Sequence, residues 1–174
     1  MTAQIHDRFR YQGTVYSMVG MQGLGLFSPA ALGLHPARAS TACWRGYQAV
    51  FAIADAQLVL ATLHVSLVAF DEERRRLEGP LIHGVEPTGP ARDHHDMFNN
   101  YYEDLNLPLD YTGSLLIADG FIQDLYVHRG FQSAWKFETV IELVFDAGRF
   151  IEAVDRSERM AAVRRAKTDD RAPG

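Results

Sequence analysis

Two stretches of alternating apolar and polar residues, each turned back on itself by a short polar link, constrain this chain more than any other feature. Phe137–Phe145 sets Phe137, Thr139, Ile141, Leu143 and Phe145 on one side and Glu138 and Glu142 on the other, the period of a half-buried strand. Asp146-Ala147-Gly148-Arg149 then returns the chain into Phe150–Val154. Earlier, Tyr47–Ile53 and Leu58–Val68 flank Ala54-Asp55-Ala56-Gln57 in the same way. Here Phe51 and Ile53 share a face of the first arm, and Val59, Ala61, Leu63, Val65 and Leu67 share a face of the second. A lone hairpin is unstable in water, so both are expected to join one larger sheet.

The rest of the chain is read around these hairpins. Phe9–Met21 carries a strand pattern with a turn at Gly13-Thr14. Ser28, Pro29 and Gly33 stand at the N-cap, first-turn and terminating positions of one short helix. Residues 71–95 form a polar surface excursion, crossed by a short strand at Leu81–Val85. Asp96–Leu105 predicts a helix, Tyr111–Ala118 a strand, and Phe121–His128 a helix capped by Asp119. Asp155 and Glu158 fit a capping box that opens a helix of about three turns to Lys167. The expectation is a single α+β domain over residues 1–167 with a frayed tail at 168–174. Its core would be a mainly antiparallel sheet of about six to eight strands with a few short helices.

An internal echo suggests two hairpin-containing halves. Tyr11-Gln12-Gly13-Thr14 parallels Tyr111-Thr112-Gly113-Ser114, and Trp44-Arg45 parallels Trp135-Lys136. Each Trp stands the same distance before its Asp-Ala pair, Asp55-Ala56 or Asp146-Ala147. A duplication is one reading and a chance likeness between hairpins the other.

Charge and cysteine usage narrow the function classes. With 174 residues, 47% of them hydrophobic, the chain can fill one core. A net charge of -5 argues against nucleic acid, and the basic run Arg74-Arg75-Arg76 is offset by Asp71, Glu72 and Glu73. One cysteine, Cys43, excludes an internal disulfide. The start is polar and no apolar run reaches membrane length, so a cytoplasmic location is expected, with no membrane partner.

Four constellations could carry chemistry. Cys43 has Arg45 nearby, as an activated thiol requires, yet it begins a strand; a nucleophile and a buried small hydrophobe are both open. Gly20, Gly23 and Gly25 precede a short helix, but the hairpin that follows favours a plain turn over a phosphate cradle. His95 and Glu103 lie about two helical turns apart, a weak metal pair beside a simpler reading as solvated polar residues. His128 could pair with Asp124 as acid and base, or simply face a helix C-terminus. No cofactor motif is present.

Thr41-Ala42-Cys43-Trp44-Arg45-Gly46-Tyr47, Tyr111-Thr112-Gly113-Ser114-Leu115-Leu116-Ile117 and Leu125–Phe131 through Ala134-Trp135-Lys136 together resemble a group of uncharacterised bacterial single-domain proteins of similar length. The resemblance spans most of the chain and implies a bacterial protein, with no activity attached.

Two functions follow as expectations. The first is a non-enzymatic protein-binding protein, a toxin inhibitor or adaptor, presenting Tyr101, Tyr102, Glu103 and Asp104 to its partner. The second is a small-ligand binder or enzyme whose polar pocket lies between the halves, lined by Cys43, Arg45 and His128. In that reading Arg129 lines the pocket too, and Trp44-Arg45 and Trp135-Lys136 form two Trp-basic clamps.

Overall fold

The computed structural model describes residues 2–69, 73, 75–90 and 96–169. Nine strands form one sheet: β1 (Arg8–Tyr11), β2 (Thr14–Gly23), β3 (Tyr47–Ala54), β4 (Gln57–Val65), β5 (Asn100–Tyr102), β6 (Leu107–Pro108), β7 (Gly113–Phe121), β8 (Phe137–Asp146) and β9 (Arg149–Asp155). The single α-helix among the described residues, α1, spans Ser157–Asp169. Within that set no helix is long and apolar enough to cross a membrane.

The ladder runs β3-β1-β2-β7-β8-β9-β4, and β4 pairs back onto β3, so the sheet closes on itself. The seam is thin: β9 meets β4 only at Gln57↔Arg149, supported by Leu58 N–H to Gly148 O (2.7 Å) and Phe150 N–H to Ala56 O (2.8 Å). Beyond it, the same edge of β4 is taken up by β6 and then β5. Closure leaves few edges to protect and encloses a core of Phe9, Ala49, Phe51, Leu58, Leu60, Leu63, Val65, Leu115, Ile117, Leu143 and Phe145.

This is a mainly-β fold, and it overturns the α+β expectation. Asp96–Leu105 is not a helix. Asn99 and Asn100 bond sideways into the preceding loop, and Tyr101 and Tyr102 pair with β4 as strand β5. Phe121–His128 is not a helix either: β7 runs on to Phe121, and only a 3₁₀ turn, Gln123–Leu125, follows. Ser28-Pro29 opens a 3₁₀ turn (Pro29–Leu32), closed by Gly33 in the left-handed region. The sheet is antiparallel-rich, as expected, except that β1 and β3 run parallel, joined through β2 and the long connection at 24–46. The helix after β9 does form, with the Asp155 carboxylate accepting from the Ser157 N–H (2.8 Å).

Bulges explain where side-chain alternation misled. The register of β3 with β4 shifts at Val50/Phe51, leaving Ala61 unpaired. Leu58 and Leu60 therefore face the core before the bulge, and Leu63 and Val65 face it after. A strict period of two instead groups Val59 and Ala61 with Leu63. On β8, Ile141, Leu143 and Phe145 point inward as the sequence implies, but Phe137 joins Val140 and Ala118 in a second cluster that includes Met160 of α1.

The echo between halves does not become a structural repeat. Gln12-Gly13 is the two-residue turn of the β1–β2 hairpin, whereas Tyr111–Ser114 leads into a single strand, β7. The hairpin turns are also offset: Asp55-Ala56 closes β3–β4, but Ala147-Gly148 closes β8–β9.

The hairpins β1–β2, β3–β4 and β8–β9 use two-residue turns with both φ positive, the type that matches strand twist. Ala56 sits at φ 60 in the position that favours glycine. Replacing Ala56→Gly removes a left-handed alanine and is expected to stabilise the protein by about 1 kcal/mol, read from the shift in urea midpoint at unchanged m.

Candidate functional site

The connection at 24–46 sends Leu26 and Leu34 into the core. Residues 4–7 run beside it and fasten two distant loops together. Gln4 N–H donates to Gly130 O (2.8 Å), Ile5 N–H to Ala42 O (3.0 Å), and the Gln4 side chain bonds Thr41 O and Trp44 N–H (3.0 Å each). Two of the sequence motifs, around Cys43 and around Phe131, thus meet through a short polar segment.

Between them lies a cavity of about 550 Å³. Its polar side is His6, Asp7 and Arg45; its apolar side includes Met18, Met21, Phe27, Phe51 and Phe131. Asp7 and Arg45 form a bidentate pair, Nη1 to Oδ2 at 2.7 Å and Nη2 to Oδ1 at 2.6 Å. Asp7 Oδ1 also accepts the Ala49 N–H (2.7 Å), which locks the carboxylate to β3. The guanidinium lies over the Tyr47 ring (4.7 Å) and near that of Phe131 (5.8 Å). Burial disfavours its charge, but Asp7 more than offsets this and holds Arg45 firmly ionised.

His6 is fixed in one tautomer by its surroundings. Nδ1 lies 2.8 Å from Met18 O and must donate; Nε2 lies 3.2 Å from the Gln132 N–H and must accept. Both nitrogens are satisfied only in the neutral ring. Burial lowers the His6 pKa, with Arg45 adding to the shift, while the Met18 carbonyl and Asp7 oppose it. The unfolded chain therefore takes up this proton first. Stability is whole above the ordinary value of 6.5 and falls as pH drops below it, by at most about 1.4 kcal/mol per pH unit. His6→Gln, which keeps one donor and one acceptor, is expected to flatten that stretch of the stability–pH curve.

Of the candidates read from sequence, Arg45 lines this cavity, and of the glycine run Gly20 and Gly25 do as well. Cys43 is only 1% exposed, its thiol donates to Tyr47 O (3.4 Å), and burial pushes its pKa up. That is the environment of an inert thiol. Native protein is expected to resist alkylation at pH 7 and to label fully only when unfolded. Trp44 is half exposed beneath Arg38 (5.6 Å). His128 and Arg129 sit on an exposed loop, His128 Nδ1 bonding the Tyr126 hydroxyl at 3.0 Å. Trp135 is flanked by Lys136 and Lys167, and Lys136 is buried, donating to the Gln132 side chain (2.9 Å). Arg45 and Lys136 are thus not equivalent.

The proposed interface residues also part company. Tyr102 is fully buried with its hydroxyl on Pro80 O, Tyr101 bonds Phe98 O, and Glu103 is held by His64 (2.7 Å) and Thr62 (3.2 Å). Asp104 is exposed at φ 53. His95 falls outside the described residues, and among those described no cluster of metal ligands occurs.

Sequence reading missed His6, Asp7 and the cavity role of Phe131. The available signal was the pair His6-Asp7 immediately before the first strand, a position from which short polar side chains can reach an adjoining strand end. No protein-family model, no curated protein and no solved structure matches this chain.

Proposed function

We propose that the protein is a binding protein for a small, mostly apolar molecule, held in the cavity between residues 4–7, β2, β3 and the Phe131 loop. The cavity itself carries the reading: its volume suits a small ligand, and its wall is apolar except for one polar corner at His6, Asp7 and Arg45. Nothing in that corner resembles a reaction centre. The nearby thiol is inert, the imidazole has both nitrogens committed, and the carboxylate is paired.

The test is equilibrium binding of 1-aminoanthracene, a neutral planar fluorophore, to the intact chain. Saturable one-to-one binding is expected. Met21→Trp, at a side chain 53% exposed on the wall, should weaken it at least tenfold without lowering the melting temperature. Absence of saturable binding, or indifference to Met21→Trp, defeats the reading.

Toxin inhibition or adaptor work keeps one supporting observation. Met21, Leu24 and Phe131 are apolar and exposed on or next to the cavity wall, with Leu24 92% exposed, so a partner protein could seat a side chain there. Under that reading Leu24→Ser abolishes capture of a protein partner and leaves 1-aminoanthracene binding intact.

A further inference from the structure

The cavity wall contains charged groups but no net charge, and this points to the chemical class of its ligand. We infer that the site selects uncharged aromatic molecules and rejects carboxylates and ammonium ions of the same shape. The inference rests on the binding reading above and names its ligand class.

The argument is one of compensation. Among the described residues Arg45 is the only cation lining the cavity; both of its terminal nitrogens are engaged by Asp7 in a bidentate pair, and its unpartnered Nε is itself buried. A ligand carboxylate approaching Arg45 meets a carboxylate already in place, one that is also tied to the Ala49 N–H and cannot readily swing away. A ligand ammonium approaching Asp7 meets the guanidinium instead. His6 offers no third charge, because protonating Nε2 would set an N–H against the Gln132 N–H that it now accepts. Tyr47, half buried under the guanidinium, stays a neutral phenol.

The rest of the wall makes an ion costly. Met18, Val19, Met21, Leu26, Phe27, Phe51 and Phe131 would strip water from a charged group and return no partner. The same residues favour a flat ring. Thioethers from Met18 and Met21 and the edges and faces of Phe27 and Phe131 are good aromatic neighbours. The electrostatic pattern therefore discriminates by repulsion in both directions, while shape and dispersion supply the attraction.

Three ligands of one shape provide the test: naphthalene-2-carboxamide, 2-naphthoate and 2-(aminomethyl)naphthalene, each competed against 1-aminoanthracene at pH 7.5. The carboxamide is expected to bind at least tenfold tighter than either ion. Asp7→Asn, which keeps an acceptor for the Ala49 N–H but frees the guanidinium, should shift the carboxylate-to-carboxamide ratio at least tenfold toward the carboxylate. Arg45→Gln should shift the ammonium ratio in the same sense and serves where the Asp7 variant folds poorly. Equal or tighter binding of 2-naphthoate to the native protein overturns this inference and leaves the binding reading standing. Failure of all three, with no saturable 1-aminoanthracene signal, removes both.

Discussion

Replacing Asn100→Ala is expected to destabilise the protein by about 4 kcal/mol, a large share of the stability a domain of this size possesses. Asn100 is fully buried on β5, and its amide uses both ends. Oδ1 accepts from the Gly79 N–H at 2.9 Å and from Arg76 at 3.4 Å; Nδ2 donates to Leu77 O at 2.9 Å and to Asn99 Oδ1 at 2.8 Å. Asn99 repeats the device one residue earlier, pairing with both the N–H and the carbonyl of Leu67. These two side chains stand in for strand partners along the excursion after β4. Alanine leaves two backbone groups, the Gly79 N–H and the Leu77 carbonyl, without this partner at once, and each uncompensated group costs about 1–3 kcal/mol. Chemical denaturation measures the total. A loss below about 1 kcal/mol would mean that water replaces the amide, and that the excursion is not anchored there.

Gly148→Ala ranks second, with an expected loss of about 3 kcal/mol from a single methyl group. Gly148 has φ +77, and a Cβ there would collide with Leu109 O and the Gln57 side-chain amide. The carbonyl of the same residue accepts the Leu58 N–H across the seam. Backbone strain and the collision act together at the thinnest join of the ring. Hydrogen exchange locates the damage: the amides of Leu58 and Phe150 should lose protection first, while those of β7 and β8 stay slow. Uniform loss across all strands would show instead that the seam opens only with global unfolding.

The hairpins were legible because they rest on local rules. Alternation in 47–53 and 137–145, and the short links Ala54-Asp55-Ala56-Gln57 and Asp146-Ala147-Gly148-Arg149, point to β3–β4 and β8–β9 without reference to the rest of the chain. Closure was not legible. That β1 would lie parallel to β3 and β2 beside β7 depends on contacts between residues as far apart as Ser17 and Ala118, which no local pattern encodes. The failed helix at 96–105 has a related cause. Asn99, Asn100, Tyr101 and Tyr102 tolerate a helix on spacing alone, and only the open edge of β4 and the orphaned groups of the excursion draw them into a strand. At the site, Arg45 was found because a cation beside a thiol attracts notice. Asp7 was not, since a lone carboxylate before a strand resembles ordinary solvated surface. The pair is a tertiary fact.

Residues 4–7 have a consequence for the order of events during folding. They complete the cavity only by bonding to positions 41–44 and 130–132, and β2 can pair with β7 only after about a hundred further residues have been made. The β1–β2 hairpin must therefore wait, with one edge of each strand unclaimed, until the later strands arrive. A ligand in the cavity would touch residues from both waiting and arriving segments, so its binding would report completed closure and nothing earlier. By mass action it would also hold the ring shut, raising stability in proportion to the logarithm of its concentration once the site is saturated.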